Sequence, residues 1–315
     1  MVLWLTAALS AVGLAVASNV RGETERTETN IDDARGYFIA RGAVERAALH
    51  IIWSRSYRTD DGLPMYHIEG DPSMDLTFPG GDVHVDVIPE SSKLNPNSWR
   101  PEFILRLLGA LGVAEDRAAE ITAAIVDWRT RPDPMKPGPF DAFYLSQSPS
   151  FTPLHTSFQE NEELLLVKGM TPELYYGNSL DGSRLDASRP GLRDCLSVYS
   201  SGYGIDINTA QRATLEAIGI DGADADRIVS IRKLHPITGV REFRDIVESL
   251  GPAGRMLAVG GQSMFTLRAT ARLRQADGKL SDLRRTVAAL VKIYFSGNSQ
   301  GKPVGFEIVR WFDRA

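Results

Sequence analysis

The amino-terminal part of the chain joins an uncharged apolar run to a helical stripe. No charged residue occurs from Val2 to Ser18, and no proline occurs from Asn19 to Tyr57. This pattern predicts one helix from Val2 to about Ser56, apolar at first and amphipathic afterwards, roughly 80 Å long. Its apolar stripe, spaced by three and four residues, is typical of a helix with one buried face and comprises Ala34, Tyr37, Ala40, Val44, Ala47 and Ile51.

A cleaved secretory signal is the alternative for the first segment. The sequence "AVAS", ending at Ser18, resembles a cleavage site, but no basic residue precedes the apolar core. The unbroken pattern after Ser18 favours the continuous helix. A helix of about 17 uncharged residues is close to the lower limit for crossing a bilayer.

Period-two alternation and β-branched residues predict strands on either side of the middle of the chain. The carboxyl-terminal candidates are 262–273, 284–296 and 303–313, separated by "QADGKL" at 275–280 and "GNSQGK" at 297–302. The upstream candidates are "MYHIEG" at 65–70 and "DVHVDVIPE" at 82–90. Short loops with turn residues predict an antiparallel sheet that packs one face on the long helix.

The middle of the chain is helical and partly duplicated. A shift of 107 positions places Leu108 on Leu215, and "LGV" at 111–113 on "IGI" at 218–220. Each copy predicts helix, glycine turn, helix, loop and third helix. Each copy opens with a pair of polar residues that are candidate helix N-caps, Asn95 and Asn97 in the first and Asp206 and Asn208 in the second. The third helices are predicted to begin near Glu163 and Glu242.

These patterns predict an α+β protein that resembles a type IV pilin-like subunit in its fold. The predicted spine helix spans residues 1–56. A head of helix and antiparallel sheet uses 57–88 and 256–315, and an inserted α-helical domain fills 89–255. The insert contains two repeats of the SAM or helix-hairpin-helix type, at 92–175 and 203–255.

Composition argues against several classes of function. The net charge of −5 disfavours broad capture of nucleic acid, and the second hairpin turn continues into Asp221, Asp224 and Asp226. The single cysteine, Cys195, is expected to be a small buried side chain. No nucleophile motif or zinc spacing is present, so we expect no enzyme activity. The alternative function is a membrane-tethered nucleic-acid-binding protein that uses its helix-hairpin-helix repeats.

Several of these segments together resemble the K subunit of type II secretion systems, the large minor pseudopilin. The resemblance is carried by "GYFIARGAVERA", the paired "LNPN" and "IDIN" repeats, "AIVDWR", "EELLLVKGM" and the closing strands. It implies a non-enzymatic subunit at the tip of a periplasmic pseudopilus, with the minor pseudopilins I and J as partners and no nucleic acid. It also implies an inner-membrane anchor and a basic leader before Met1.

The resemblance implies that calcium is bound in the helical insert. Hard oxygen ligands near a loop suit Ca²⁺, which takes six to eight of them. The candidate ligands lie on and after the "VDWR" helix and are Asp127, Asp133, Asp141 and Glu163. Solvated surface acids and helix caps are the alternative for all four. Trp99 and Trp128 are expected to fill the small helical core rather than form a recognition surface.

Overall fold

The computed structural model describes residues 1–54, 56–133, 135–177, 190–201, 204–261, 263–295 and 303–312. Its described helices are α1 (Val2–Trp53), α2 (Pro101–Ala110), α3 (Glu115–Arg129), α4 (Asp141–Leu145), α5 (Pro172–Tyr176), α6 (Arg212–Ala217), α7 (Gly222–Leu234), α8 (Val240–Ser249) and α9 (Gly251–Gly254). Its described strands are β1 (Ser73–Phe78), β2 (Gly81–Pro89), β3 (Ile205–Asp206), β4 (Leu257–Ala258), β5 (Met264–Arg274), β6 (Leu280–Phe295) and β7 (Pro303–Phe312).

Helix α1 is continuous and has two environments. It contains 52 residues, about 78 Å of helix. Its carboxyl-terminal half buries Ala40, Val44 and Ala47 completely against the sheet, as the apolar stripe predicts, whereas Ala34, at the start of the predicted stripe, is exposed. Every described side chain of its first half is exposed, for example that of Leu14 at 74%.

Five strands form one antiparallel sheet in the order β1-β2-β5-β6-β7. The alternate residues of β5 that face α1 are buried, whereas their neighbours are half-buried, as the period-two pattern predicts. Small side chains on both surfaces, such as Ala47 on α1 and Ala269 and Ala289 on the sheet, bring the helix close to the strands. The head therefore has a thin core of small and β-branched side chains.

The helical region lies between two strands that are neighbours in the sheet. Strand β2 pairs directly with β5, with Val85 opposite Ala269, although the chain between them contains α2 to α9. This region has a second core of its own, in which Trp128 and Tyr144 are completely buried. The pilin-like fold with a large helical insert is confirmed; the exact domain boundaries stay predictions, and residue 203, where repeat two was predicted to begin, lies outside the described residues.

The two glycine turns of the repeat have the same backbone hydrogen bonds. Val113 N–H donates to Leu108 O, and Ile220 N–H donates to Leu215 O, at 3.0 and 3.2 Å. Between them, Gly112 and Gly219 have φ of +84° and +97°. Such a backbone closes a helix and favours glycine.

An asparagine holds each repeat together in the same way. The Asn97 amide pairs with both backbone groups of Phe158, at 2.7 and 2.9 Å. The Asn208 amide pairs with both backbone groups of Ile237, at 2.8 and 3.0 Å. The carbonyl preceding each asparagine accepts from the arginine near the end of the second helix, Arg129 in repeat one and Arg232 in repeat two.

The prediction that the polar pairs cap the helices was wrong. Helix α2 begins after Arg100, and α6 begins after Gln211. Asn95 and Asp206 instead accept hydrogen bonds from backbone N–H groups two and three residues later. The polar pairs therefore shape the turns before the helices.

Two other local predictions were wrong. Residues 65–70 form turns rather than a strand, since Gly70 has φ of +90° and the Tyr66 ring packs 5.2 Å from the Trp53 ring. The edge strand is Ser73–Phe78 instead. The third helix of repeat one is a 3-10 turn, Asn161–Leu166. The predicted loop at 297–302 and the end of the last strand at 313 lie outside the described residues.

Polar contacts join the insert to the sheet. Glu90, only 2% exposed, accepts from Thr266 Oγ1 at 2.6 Å and from Lys93 Nζ at 3.1 Å. Farther out, Arg310 on β7 contacts Glu160 at 2.9 Å and Glu162 at 3.5 Å. The insert is thus attached to the head at two separate places.

Within the described part of the chain, no helix has both the length and the hydropathy expected of a membrane span.

Candidate functional site

Repeat one contains a long segment that repeat two lacks. In repeat two, Ile237, which is hydrogen-bonded to Asn208, follows Arg232 closely in the sequence. In repeat one, residues 130–157 separate Arg129 from the equivalent Phe158. We call residues 130–157 the extra segment. Because repeat two forms the same asparagine and arginine hydrogen bonds without such a segment, the repeat fold does not require it.

The extra segment brings three titratable side chains together. Asp127, near the end of α3, Asp141, at the start of α4, and His155 offer ligand atoms within 4.8 Å of one another. His155 Nε2 lies 2.8 Å from Asp141 Oδ1, and its Nδ1 lies 3.1 Å from the Asp127 carbonyl oxygen. Asp141 also accepts from Gly138 N–H at 2.7 Å. The cluster therefore fastens the extra segment to α3.

His155 carries the positive charge of this cluster. Both of its ring nitrogens face acceptors, so both must carry protons to form the two hydrogen bonds. Burial lowers the pKa of His155, but its hydrogen bonds to Asp141 and Asp127 and their charges outweigh burial, so the pKa is raised. It is also the one described non-glycine residue with positive φ, +46°, a conformation that costs about 1–2 kcal/mol.

Asp127 is partly buried, as are Asp141 and His155. Desolvation raises the pKa of its carboxyl group above the ordinary value, although His155 opposes this shift. One of its oxygens, Oδ2, is buried without a hydrogen-bond partner among the described residues. A buried unpaired oxygen is unfavourable unless something else approaches it.

The other two predicted calcium ligands lie apart from this cluster. Asp133 accepts from Met135 N–H at 2.9 Å in an exposed turn. Glu163 Oε1 accepts from Gln159 N–H and Glu160 N–H at 2.9 and 3.0 Å, and so caps the 3-10 turn. Its Oε2 is buried and unpartnered among the described residues.

The cluster is a poor set of donors for calcium. Ca²⁺ takes six to eight oxygen ligands, whereas this group supplies two carboxylates and an imidazole. A doubly protonated histidine cannot coordinate a cation, and its charge already offsets one of the two carboxylate charges. Calcium at Asp127, Asp133, Asp141 and Glu163 stays a prediction, and the described geometry assembles only Asp127 and Asp141.

Sequence reasoning missed His155. Its position, well beyond Asp127 in a proline-rich segment, carries no periodic signal, and only the folded loop brings the two residues together. Trp128 and Cys195 are buried, as predicted, and Trp99 packs at the edge of the same core. Burial raises the pKa of the Cys195 thiol to about 12, so the thiol stays protonated at neutral pH.

The hairpin turn of repeat two is occupied by the protein's own carboxylate. Asp221 Oδ1 accepts from Ala223 N–H at 2.8 Å at the start of α7. Helix-hairpin-helix modules that bind nucleic acid offer such N–H groups to a phosphate. Here the carboxylate takes that place and would repel a phosphate.

Comparisons with known proteins point to one family. A family model described as Type II secretion system (T2SS), protein K matches residues 88–177. A curated relative, the type II secretion system protein K of Klebsiella pneumoniae, is 23% identical over 189 residues. Residues 88–177 of the chain are therefore similar to the type II secretion protein K family. The match covers 56% of the chain and 58% of that relative, so it spans little more than half of the relative's length.

A solved structure extends the fold likeness to nearly the whole chain. The crystal structure of the GspK-GspI-GspJ complex from enterotoxigenic Escherichia coli contains a chain that matches with a TM-score of 0.52 and 16% identity. The match covers 91% of this chain and 98% of the other. The region matched by the protein K family model includes the Asp127–Asp141–His155 cluster and all of the extra segment.

Proposed function

We propose that this chain is a non-enzymatic minor pseudopilin at the tip of the type II secretion pseudopilus. There it helps to start pseudopilus assembly and the export of folded proteins across the outer membrane. Three observations together carry the proposal. The start of α1 is uncharged and exposed, the insert lies between adjacent strands of the head, and residues 88–177 match the protein K family model.

The exposed start of α1 supports a place in the inner membrane before assembly. No charge occurs from Val2 to Ser18, and apolar side chains such as Val12 and Leu14 are 61% and 74% exposed. Exposed contiguous apolar surface indicates contact with lipid or with other protein chains. In this proposal the start of α1 is the single membrane anchor, and the head lies in the periplasm.

The position of the insert supports a place at the tip. The insert leaves the sheet after Pro89 and returns before Phe265, residues that face each other on neighbouring strands. Its bulk would clash with a further subunit stacked above the head. The solved relative is in complex with GspI and GspJ, and we propose the corresponding I and J minor pseudopilins as partners of this chain.

The chemistry of the described residues supports a structural role. In the Asp127–Asp141–His155 cluster both ring nitrogens of the histidine face acceptors, so neither is free to take a proton from a nucleophile. Cys195 is completely buried and its thiol stays protonated. A nucleophile needs exposure and an adjacent base or a lowered pKa.

Capture of the partner subunits tests the proposal. The full chain, tagged at its carboxyl terminus, is co-expressed with the I and J subunits and purified in mild detergent. We expect both subunits to be captured. Ile31 and Phe38 lie seven residues apart on one exposed face of α1, so I31D/F38D should reduce capture about tenfold.

The matched control is L234D/V240D, which also places two aspartates on exposed apolar residues, here on α7 and α8 and away from α1. It should leave capture unchanged. The wild-type chain should also restore export in a bacterium that lacks its own K subunit. Failure to capture either subunit, together with failure to restore export, would overturn the proposal.

A further inference from the structure

The two repeats differ on one surface. At the shift of 107 positions, Leu105 on α2 corresponds to Arg212 on α6, and Ala119 on α3 corresponds to Asp226 on α7. In repeat two, Arg212 Nε lies 2.6 Å from Asp226 Oδ1, and the pair covers the surface between the two helices. Repeat one has only apolar side chains at these positions.

The corresponding surface of repeat one is an open groove. Its volume is about 980 Å³, and its apolar lining includes Leu105, Ala119, Ala123, Val126, Pro137 and Phe140. The helices α2 and α3 form one side of it, and the beginning of the extra segment forms the other. We call this the repeat-one groove. Both differences between the repeats, the extra segment and the absence of an ion pair at the positions of Leu105 and Ala119, therefore lie at this groove.

A buried hydroxyl in the groove has no partner. Thr122 lines the groove, is 6% exposed, and its Oγ1 has no hydrogen-bond partner among the described residues. The corresponding residue of repeat two is Val229, which needs none. An unpaired buried hydroxyl costs free energy, and the Thr122 oxygen is shielded from solvent at the groove lining.

The acidic side chains of the groove have partners within the chain, whereas its basic side chains have no ion-pair partner among the described residues. Its three acids have neighbours in the chain: Glu102 contacts Arg100 at 3.1 Å, Asp133 accepts from a backbone N–H, and Asp127 lies within 4.8 Å of the charged His155. Its two cations, Arg131 and Lys136, are exposed, and neither has an ion-pair partner among the residues that the structure describes. The groove therefore presents an apolar floor with two free positive charges at its rim.

We propose that the repeat-one groove binds a short segment of a partner polypeptide that combines apolar side chains with carboxylates. The apolar side chains cover Leu105 and Val126, and the carboxylates pair with Arg131 and Lys136. This inference does not depend on the place of the chain in a pseudopilus, because it rests on the difference between the repeats.

Peptide binding tests the inference on the full chain in mild detergent. The probe is a fluorescent leucine-and-glutamate peptide, compared with versions in which every glutamate is replaced by glutamine or by lysine. We expect the acidic peptide to bind more tightly than the glutamine version and the lysine version to bind least. Added salt should weaken the acidic peptide most, because rim charges are screened.

The sharpest variant transfers the ion pair of repeat two into repeat one. L105R/A119D places an arginine and an aspartate where repeat two already holds them without loss of fold, so it should close the groove and leave the melting temperature nearly unchanged. Affinity for the acidic peptide should fall at least about tenfold. R131E/K136E should reverse the preference between acidic and basic peptides.

The matched control is R241E/R244E, which reverses two exposed arginines on α8 with no ion-pair partner among the described residues. It should leave peptide affinity unchanged. Equal binding of acidic and basic peptides, or acidic-peptide binding that survives L105R/A119D in a folded protein, would overturn the inference. Concentration-dependent self-association that L105R/A119D abolishes would also overturn it, since a second copy would then fill the groove.

Discussion

His155 combines a strained backbone with a charged side chain that spans two elements. Its positive φ is unfavourable, yet the residue is held there by hydrogen bonds to the end of α3 and to the start of α4. Hydrogen bonds to a charged group are worth more than those between neutral groups. The protonated imidazole is therefore what offsets the strain at this position.

His155→Gln should lower stability in a pH-dependent way. Because the pKa of His155 is raised in the folded protein, its contribution is fully present below the unfolded value of about 6.5 and is lost as pH rises through the folded value. We expect the variant to lose about 1–3 kcal/mol of unfolding free energy at about pH 5.5 and less at about pH 8.5. Urea unfolding at both pH values measures this difference.

The control for this experiment is His235→Gln, on an exposed histidine at the end of α7. It should change the unfolding free energy little at either pH. A loss in His155→Gln that grows as the pH rises would contradict the assignment of a protonated histidine.

At the scale of the elements, the contact between α1 and the sheet depends on small side chains. Ala47 is completely buried against strands that carry alanines themselves, so no space remains for a larger group. Ala47→Leu should therefore destabilise the head by about 1–3 kcal/mol. Thermal unfolding followed by circular dichroism measures the loss.

Ala34→Leu is the matched control, since Ala34 lies on the same helix but is exposed. It should change the melting temperature little. Equal melting temperatures for the two variants would show that the helix does not pack on the sheet as described.

Periodic patterns explain why much of this fold was predictable. The stripe around Ala40 and Val44 predicts α1, and the alternation from Met264 onwards predicts β5, because in both elements one face is buried and the other is not. Strand β1 lacks a comparable signal. It is a short edge strand whose one fully buried residue, Leu76, faces Val83 on β2. The position of β1 is determined by its pairing with β2, and a local sequence pattern does not reveal that pairing.

The site was less predictable than the fold. Asp127 and Asp141 follow from the acids around the "VDWR" helix, but His155 joins them only through the path of a long loop. The groove could have been predicted from the sequence, because the shift of 107 positions that reveals the repeat aligns the apolar Leu105 with the charged Arg212. Comparing charges between the copies, rather than shared residues, would have indicated it.

At the scale of the whole molecule, Arg310 links the head to the insert. It contacts Glu160 and Glu162 across the two parts, with side chains about half exposed. Such exposed pairs contribute only about 0–1 kcal/mol to stability. Arg310→Ala should therefore leave global unfolding nearly unchanged but increase local opening, seen as faster hydrogen exchange in the turn Asn161–Leu166.

Arg274→Ala is the control, because the ion pair of Arg274 with Asp82 has similar exposure but lies wholly within the head. It should leave exchange in Asn161–Leu166 unchanged. Unaltered exchange there in the Arg310 variant would show that this contact does not hold the insert.

The insertion between β2 and β5 also constrains the order in which the protein reaches its native state. Pro89 and Phe265 must meet across the whole helical region, and the entropy lost on closing a loop increases with its length. If the helices fold first, they bring these two ends together and remove most of that loss. The central strand pair is therefore expected to form late during folding, with its edges unprotected until the middle of the chain is complete.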